Sequence, residues 1–536
     1  MSSVINNVGQ QENNMDDIYQ LAESVRKKIG IKEDVEDEEL IDHLEKAASE
    51  IKELLSTSFG PRGLNKLIVN HVDDIYLTND GKTIIKEMDV LHPIVTSLKE
   101  LAMSMDRACG DGTKTAVILA SGLIINAVKL IKLGIHPTTI IKGYQLALNK
   151  AYEILEYSSK TATSYEDSYA AILSATVGKG IELDQAEKLS TIVVDVVEHL
   201  KTLSTDGYLD LNENVKIMKK VGGPEIVHLN GVILDETPAR FDMPELVVEP
   251  KVLILNYDMK LKSEFVNSRH NISMDSIETA YLFEEERKRI LGGFAEKIIN
   301  SGANVVFCEG DVDSHVEASL VKNNILMFKK LKMKDLESIS KATGAGIMSI
   351  RDDLEPYYLG RADKVEVKRK CGEDFAFISV KDQKISTILI WEPVKYGLEK
   401  VEEAADDALN TAAFILKNKM LVTGGGGIEF EVSQMLRTYA STIEGKEQLA
   451  VTEYANALED IPRMLAKNMG MNVIDSMTKM SNFYNKGLDA RIDMSRKVTE
   501  NNPLVYDSAT IKKLTVISAT ETANSVLRID KIMLKK

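Results

Sequence analysis

From Asp37 to Leu55, apolar side chains recur at Leu40, Ile41, Leu44, Ala47, Ala48, Ile51, Leu54 and Leu55. Steps of three and four residues put them on one stripe of a helix. The stripe stops at Ser58-Phe59-Gly60-Pro61, where glycine and proline end helices. Ile75-Tyr76-Leu77-Thr78 reads as a strand and Asn79-Asp80-Gly81 as the turn that follows. Helical periodicity returns over about 94–108, 114–133 and 137–157, with Gly134 suited to a helix end and Pro137 to a first turn. Further along, short β-rich runs (Val252–Leu255, Val305–Cys308, Ile325–Phe328) alternate with helical patterns at about 281–299, 312–322 and 333–343. That rhythm predicts an α/β layer in which helices cover a sheet. Residues 258–287, between the first of these strands and its helix, form a long charged insertion. From about residue 395 the pattern is helical again, broken by Thr423–Gly427, with a strand-rich stretch expected near Lys513–Ile517.

The order helical, α/β, helical predicts one helical domain assembled from both ends of the chain, with the centre inserted into it. Residues 1–16 read as a solvated polar tail. A length of 536 residues exceeds what a single core supports and predicts two to four domains. With 44% hydrophobic and 28% charged residues, the balance is that of a soluble globular protein. Lys and Arg number 66 against 82 Asp and Glu, a net charge of −16 that argues against binding nucleic acid or an anionic membrane. Cys109, Cys308 and Cys371 lie too far apart for a disulfide framework or a zinc ligand set, which points to a reducing compartment. The most apolar run, Ala116–Ile125, is about half of what a membrane-spanning helix needs, and the polar N-terminus lacks the marks of a signal or transit peptide. Composition therefore predicts an intracellular multidomain protein and names no activity.

Chemistry enters with four segments rich in Gly, Asp and Thr: Ser58–Gly63, Thr78–Thr83, Gly110–Thr115 and Gly424–Gly427. Glycine turns expose backbone N–H groups, and a helix that starts directly after one adds its positive dipole end, so such turns suit phosphate oxygens. Gly110-Asp111-Gly112-Thr113 opens the apolar helix in this way, and an Asp in such a turn can hold Mg²⁺. One such segment alone is most often a plain turn; four of them shift the weight to a site. A P-loop does not fit. Cys109–Thr115 ends in Lys114-Thr115 but has Ala108 and Thr113 at the two glycine positions, and Gly81-Lys82-Thr83 has Tyr76 at the first. A small-molecule phosphotransferase would need a second pocket of convergent polar groups, and no His, Cys or Lys cluster suggests one.

The same segments resemble a known family. GPRGLNKLIV, LTNDGKTII, GDGTKTAVIL and GGGGIEFEV are similar, in order and roughly in spacing, to the GPKGMDK, TNDGATI, GDGTT and GGGAxE motifs of group II chaperonins. Asp407-Ala408, Asp507 in VYDSATIKKL and the closing SVLRID extend the likeness over about residues 45–532. The resemblance implies an α+β multidomain chaperonin fold. Its parts would be a mainly α equatorial ATP-binding domain (1–163 and 419–536), a small intermediate domain (164–231 and 386–418) and an α/β apical substrate-binding domain (232–385). Residues 258–287 would form the apical domain's helical protrusion. The resemblance also implies ATP and Mg²⁺ as cofactors, like or identical subunits in a cytoplasmic double ring, and unfolded proteins as clients.

By the same resemblance, Asp111 would be the Mg²⁺ ligand, with Gly110, Gly112, Thr113, Lys114 and Thr115 around the phosphates. Asp80 and Asp407 would flank the γ-phosphate and orient the attacking water. Ser58, Phe59, Gly60, Pro61, Gly81 and Thr83 would complete the nucleotide-binding set, with Lys179 as a γ-phosphate sensor. Gly425 and Gly426 would admit the ribose and base, and Asp507 would accept from ribose hydroxyls. Several positions depart from the family pattern: Lys82, Lys114, Ile390-Trp391-Glu392-Pro393, Val473, Ser508 and Lys531. These departures motivate an alternative, a slow or non-hydrolysing structural subunit of a mixed ring.

Overall fold

The computed structural model describes residues 37–69, 75–88, 93–177, 179–203, 211–260, 277–349, 358–381, 385–493, 495, 497–500 and 505–529. The predicted solvated tail lies outside them. The chain divides into two compact units, one formed by 1–194 with 399–536 and the other by 195–398.

The first unit is built around the helix Thr113–Lys132. Ala116–Ala120, Leu123, Ile124, Ala127 and Val128 on it are fully buried. A helix apolar on all sides must be surrounded, and the helices Asp37–Ser56, Pro93–Cys109, Glu447–Asn468 and Ala509–Val526 pack around it. Among the described residues it is the one helix long and apolar enough to cross a membrane, and 72% of its most apolar window is buried inside the unit. The apolar run is thus longer than its central ten residues suggest. Each fully buried Leu or Ile here contributes about 1.5–3 kcal/mol relative to exposure.

The predicted helix limits near 94–108, 114–133 and 137–157 correspond to Pro93–Cys109, Thr113–Lys132 and Pro137–Tyr157. Pro137 is the first helical residue, behind a His136 cap, and Gly134 takes a left-handed φ of 81° just past the preceding helix. One expectation fails. Lys513–Ile517 is helical, inside Ala509–Val526. Its β-branched residues resemble a strand locally, but Ile511, Thr515, Val516, Ala519, Thr520 and Ala523 are buried at helical spacing.

Small strands position the glycine segments. Lys66–Val69 pairs antiparallel with Ile75–Thr78, which leads directly into Asp80. Met420–Thr423 lies between Tyr506–Ser508 and Lys160–Thr161, with Val422 opposite Asp507. That register sets Asp507 beside the glycines after Thr423.

The second unit carries two sheets. One has parallel strands in the order Ile347–Met348, Lys251–Leu255, Val305–Cys308 and Leu326–Phe328, with Gly360–Arg361 antiparallel to the second. Its strands are almost wholly buried, as continuous apolar runs require. The helices Ile277–Ser301, Ser314–Lys322 and Met333–Thr343 realise the predicted alternation. The other sheet was not read from the sequence. Its six strands run Val215–Val221, Ser386–Glu392, Glu225–Leu234, Glu373–Ser379, Lys364–Lys370, Leu246–Val248, antiparallel except for the first pair. Ile390-Trp391-Glu392 closes its buried strand, with Trp391 edge-on to Phe375 at 5.4 Å. Of the insertion 258–287, residues 261–276 lie outside the described residues, and 277–287 form the first turns of Ile277–Ser301.

Candidate functional site

In the first unit the four glycine segments converge on one cleft, which holds about 1350 Å³ of empty space including its open mouth. Of the residues singled out from the sequence, Phe59, Gly60, Pro61, Asp80, Asp111, Gly112, Thr113, Lys114, Thr115, Lys179, Gly425, Gly426 and Asp507 line it. Ser58, Gly81, Thr83, Gly110 and Asp407 stand behind this lining. Ser58 is fully buried, and its carbonyl accepts from Lys114 Nζ at 3.0 Å. A Cβ on Gly81 would lie 2.5 Å from Lys114 Cγ, and one on Gly110 would overlap the Asn410 amide.

Local rules explain the placement. Asp80 caps the helix Gly81–Lys86: its Oδ2 accepts from Thr83 N at 2.8 Å and from Thr83 Oγ1 at 3.0 Å. Asp111 is held between Gly110 (φ 68°) and Gly112 (φ 80°), where the chain turns from one helix into the next. Two helices begin at the cleft, Thr113–Lys132 behind Gly112 and Gly427–Ala440 behind Gly426. Neither has a side-chain cap, so their positive ends are turned to whatever the cleft holds. Gly425 is in the left-handed region, and a Cβ there would lie 2.4 Å from the Ile492 carbonyl oxygen.

Lys179 is the electrostatic centre. Its ammonium is ion-paired with Asp407 Oδ2 and lies 3.4 Å from Asp111 Oδ1. Burial pulls this ammonium down, but Asp407, Asp111 and Asp80 together outweigh it and hold the lysine above its usual value, firmly charged. For Asp80, burial raises the carboxyl, but Lys179, the Thr83 N–H and Lys114 leave it below the usual carboxylate range. Lys114 goes the other way: burial, helped by repulsion from Lys179, lowers it to about 8. Lys82, the other off-pattern cation, pairs with Asp106 at 2.6 Å and does not line the cleft.

Sequence reasoning missed several groups. Glu403, one turn before Asp407 on the helix Lys395–Asn418, is pushed up to about 7 by burial and by the Asp80 charge. Lys512 is ion-paired with both Glu429 Oε1 (2.5 Å) and Asp507 Oδ2 (2.9 Å), and Ser174 Oγ donates to Asp507 Oδ1 at 2.9 Å. Glu429 stood inside the GGGGIEFEV segment, but nothing in the sequence tied it to Lys512. Ile461, Leu465, Ile492, Val505 and Ile511 add an apolar wall.

A mixed cleft of this kind suits a phosphorylated nucleoside. The apolar wall can take a base, Asp507 a sugar, and the helix starts with Lys179 a phosphate chain. Among the described residues no group of three or more His, Cys, Asp or Glu side chains could cage a metal. Asp111 presents a single carboxylate to the cleft, a hard oxygen donor of the type Mg²⁺ accepts.

The model of the TCP-1/cpn60 chaperonin family matches residues 51–536. The chain is 35% identical to thermosome subunit alpha of Methanothermobacter thermautotrophicus over 489 residues, 90% of this chain and 89% of the relative. It is 35% identical to the thermosome subunit of Pyrococcus horikoshii over 500 residues, 91% and 90% of the two chains. It is 36% identical to that of Methanocaldococcus jannaschii over 498 residues, 90% of each.

Proposed function

Because the chain belongs to the TCP-1/cpn60 chaperonin family, as a group II chaperonin subunit, we propose that it is an ATP-hydrolysing subunit of a cytoplasmic double ring that folds other proteins in a closed chamber. The observation that carries the reading is the convergence of Asp80, Asp111 and Asp407 on Lys179 at the edge of a glycine-lined cleft. We assign the equatorial domain to 1–163 and 419–536, the intermediate domain to 164–231 and 386–418, and the apical client-binding domain to 232–385.

In this reading Asp111 holds Mg²⁺, and Gly110, Gly112, Thr113 and Thr115 cradle the phosphates. Mg²⁺ held there would supply charge neutralisation for the phosphate oxygens. Asp80 has one oxygen committed to Thr83 and the other left to orient water. Asp407 accepts the proton of that water. Burial raises its carboxyl above the usual carboxylate range even against the Lys179 ammonium, which makes it a stronger base than an exposed aspartate. Lys179 holds Asp407 and Asp111 in register and is placed to move to an incoming phosphate.

Lys82 and Lys114 are two of the departures that motivate the alternative of a slow subunit. Lys82 is occupied by Asp106 and Lys114 by the Ser58 carbonyl, and all three acidic residues are retained, which favours the hydrolysing reading. Light scattering on the purified protein with Mg-ATP tests assembly: a species that stays at the 59.5 kDa of one chain rules the ring out. Phosphate release tests the chemistry. Asp80→Ala and Asp407→Ala are each expected to lose about 10²-fold or more, and wild-type rates in both would remove the catalytic assignment.

A further inference from the structure

Asp507 is held from three sides. Ser174, on the helix Tyr165–Val177, donates its hydroxyl to Oδ1 at 2.9 Å. Lys512, on the helix Ala509–Val526, reaches Oδ2 at 2.9 Å while bridging to Glu429 Oε1 at 2.5 Å. Gly424 closes the third side, since a Cβ there would lie 3.0 Å from Oδ1. Glu429 is buried, and its Oε2 has no hydrogen-bond partner. Lys512 and Ser174 both line the cleft with Asp507.

This arrangement leaves a specific capacity. A carboxylate offers about four lone-pair sites, two on each oxygen. Ser174 uses one site on Oδ1 and Lys512 one on Oδ2, so each oxygen keeps one acceptor site for the cleft. Two acceptor sites on one rigid carboxylate match two adjacent hydroxyls, as on a ribose ring. A carboxylate free to rotate would not hold that pairing.

We infer that Lys512, seconded by Ser174, is a positioning residue that fixes the Asp507 carboxylate for bidentate recognition of a vicinal diol. The inference rests on the nucleotide reading of the cleft and deepens it: both residues act through Asp507. Glu429 anchors Lys512 from behind, which is why a buried carboxylate with a spare oxygen is tolerated there.

The test uses the full chain and calorimetric titration with Mg-ATP and with Mg-2′,3′-dideoxyATP. Wild type should prefer ATP by about tenfold or more, as expected for hydrogen bonds to a charged acceptor. The double variant Lys512→Met/Glu429→Gln removes both charges without leaving one buried alone, and its preference should fall to about twofold or less. Ser174→Ala should lower the preference by a smaller factor, and it decides the matter if the double variant fails to fold by circular dichroism. A merely structural role would weaken both nucleotides equally. An unchanged ratio in the folded variants, or a wild type that binds both nucleotides alike, overturns the inference. A wild type that binds no ATP at all overturns the nucleotide reading itself.

Discussion

Replacing Lys114 by Met tests the electrostatics of the cleft without touching its carboxylates. The Lys114 stem packs against Gly81 and its amine donates to the Ser58 carbonyl, but burial and the neighbouring Lys179 lower the ammonium to about 8. In the unfolded chain the same group titrates near 10.5. Between these values the unfolded chain binds the extra proton, so wild-type stability rises with pH over this window. Below pH 8 the ammonium is forced to stay charged in the folded protein, at a cost of at most about 3.4 kcal/mol. At pH 9.5 most of the folded molecules have shed the proton, and the cost falls to about 1.5 kcal/mol.

Lys114→Met removes this term and also loses the bond to Ser58, an offset that varies little with pH. Whatever that offset is, the difference between mutant and wild type should move by about 2 kcal/mol in favour of wild type between pH 7 and 9.5. Urea unfolding without nucleotide reads it. Far-UV circular dichroism is the suitable probe, because the single tryptophan, Trp391, lies in the other unit. Parallel stability curves for the two proteins across that range would show that Lys114 is not held charged in a desolvated site.

Asp80 has two roles that a pair of variants separates. Asp80→Asn keeps an acceptor for the Thr83 N–H and should retain stability while losing phosphate release; Asp80→Ala should lose both, with about 0.5–2 kcal/mol from the missing cap. Thermal unfolding alongside the ATPase assay checks this, and equal stability loss in both variants would argue against the cap. Gly425→Ala forces a left-handed φ on alanine and drives its Cβ against the Ile492 carbonyl. It should cost at least about 1–2 kcal/mol and weaken Mg-ATP binding by about tenfold or more, measured by urea unfolding and calorimetry. A variant that matches wild type in both would mean the loop has room the packing denies it.

Much of this protein is legible along the chain. The stripe from Leu40 to Leu55, the all-round apolar helix after Gly112 and the alternation from Val252 to Thr343 each report a local period, and a period survives without knowledge of neighbours. The glycine segments are legible for the same reason, since a turn with an Asp between two glycines has few other uses. What the sequence alone could not supply is pairing at a distance. Lys513–Ile517 looks like a strand until the core around Thr113–Lys132 shows which of its faces is buried. The six-stranded sheet joins strands more than 170 residues apart, Val215–Val221 with Ser386–Glu392, and no local pattern announces that partnership. The charge network follows the same rule. Lys179, Asp111 and Asp407 are separated by 68 and 228 positions, and Lys512 and Glu429 by 83. Local propensity chose the elements and marked the cleft's glycines, while only the fold, by bringing buried charges within a few ångströms, decided which lysine answers which carboxylate.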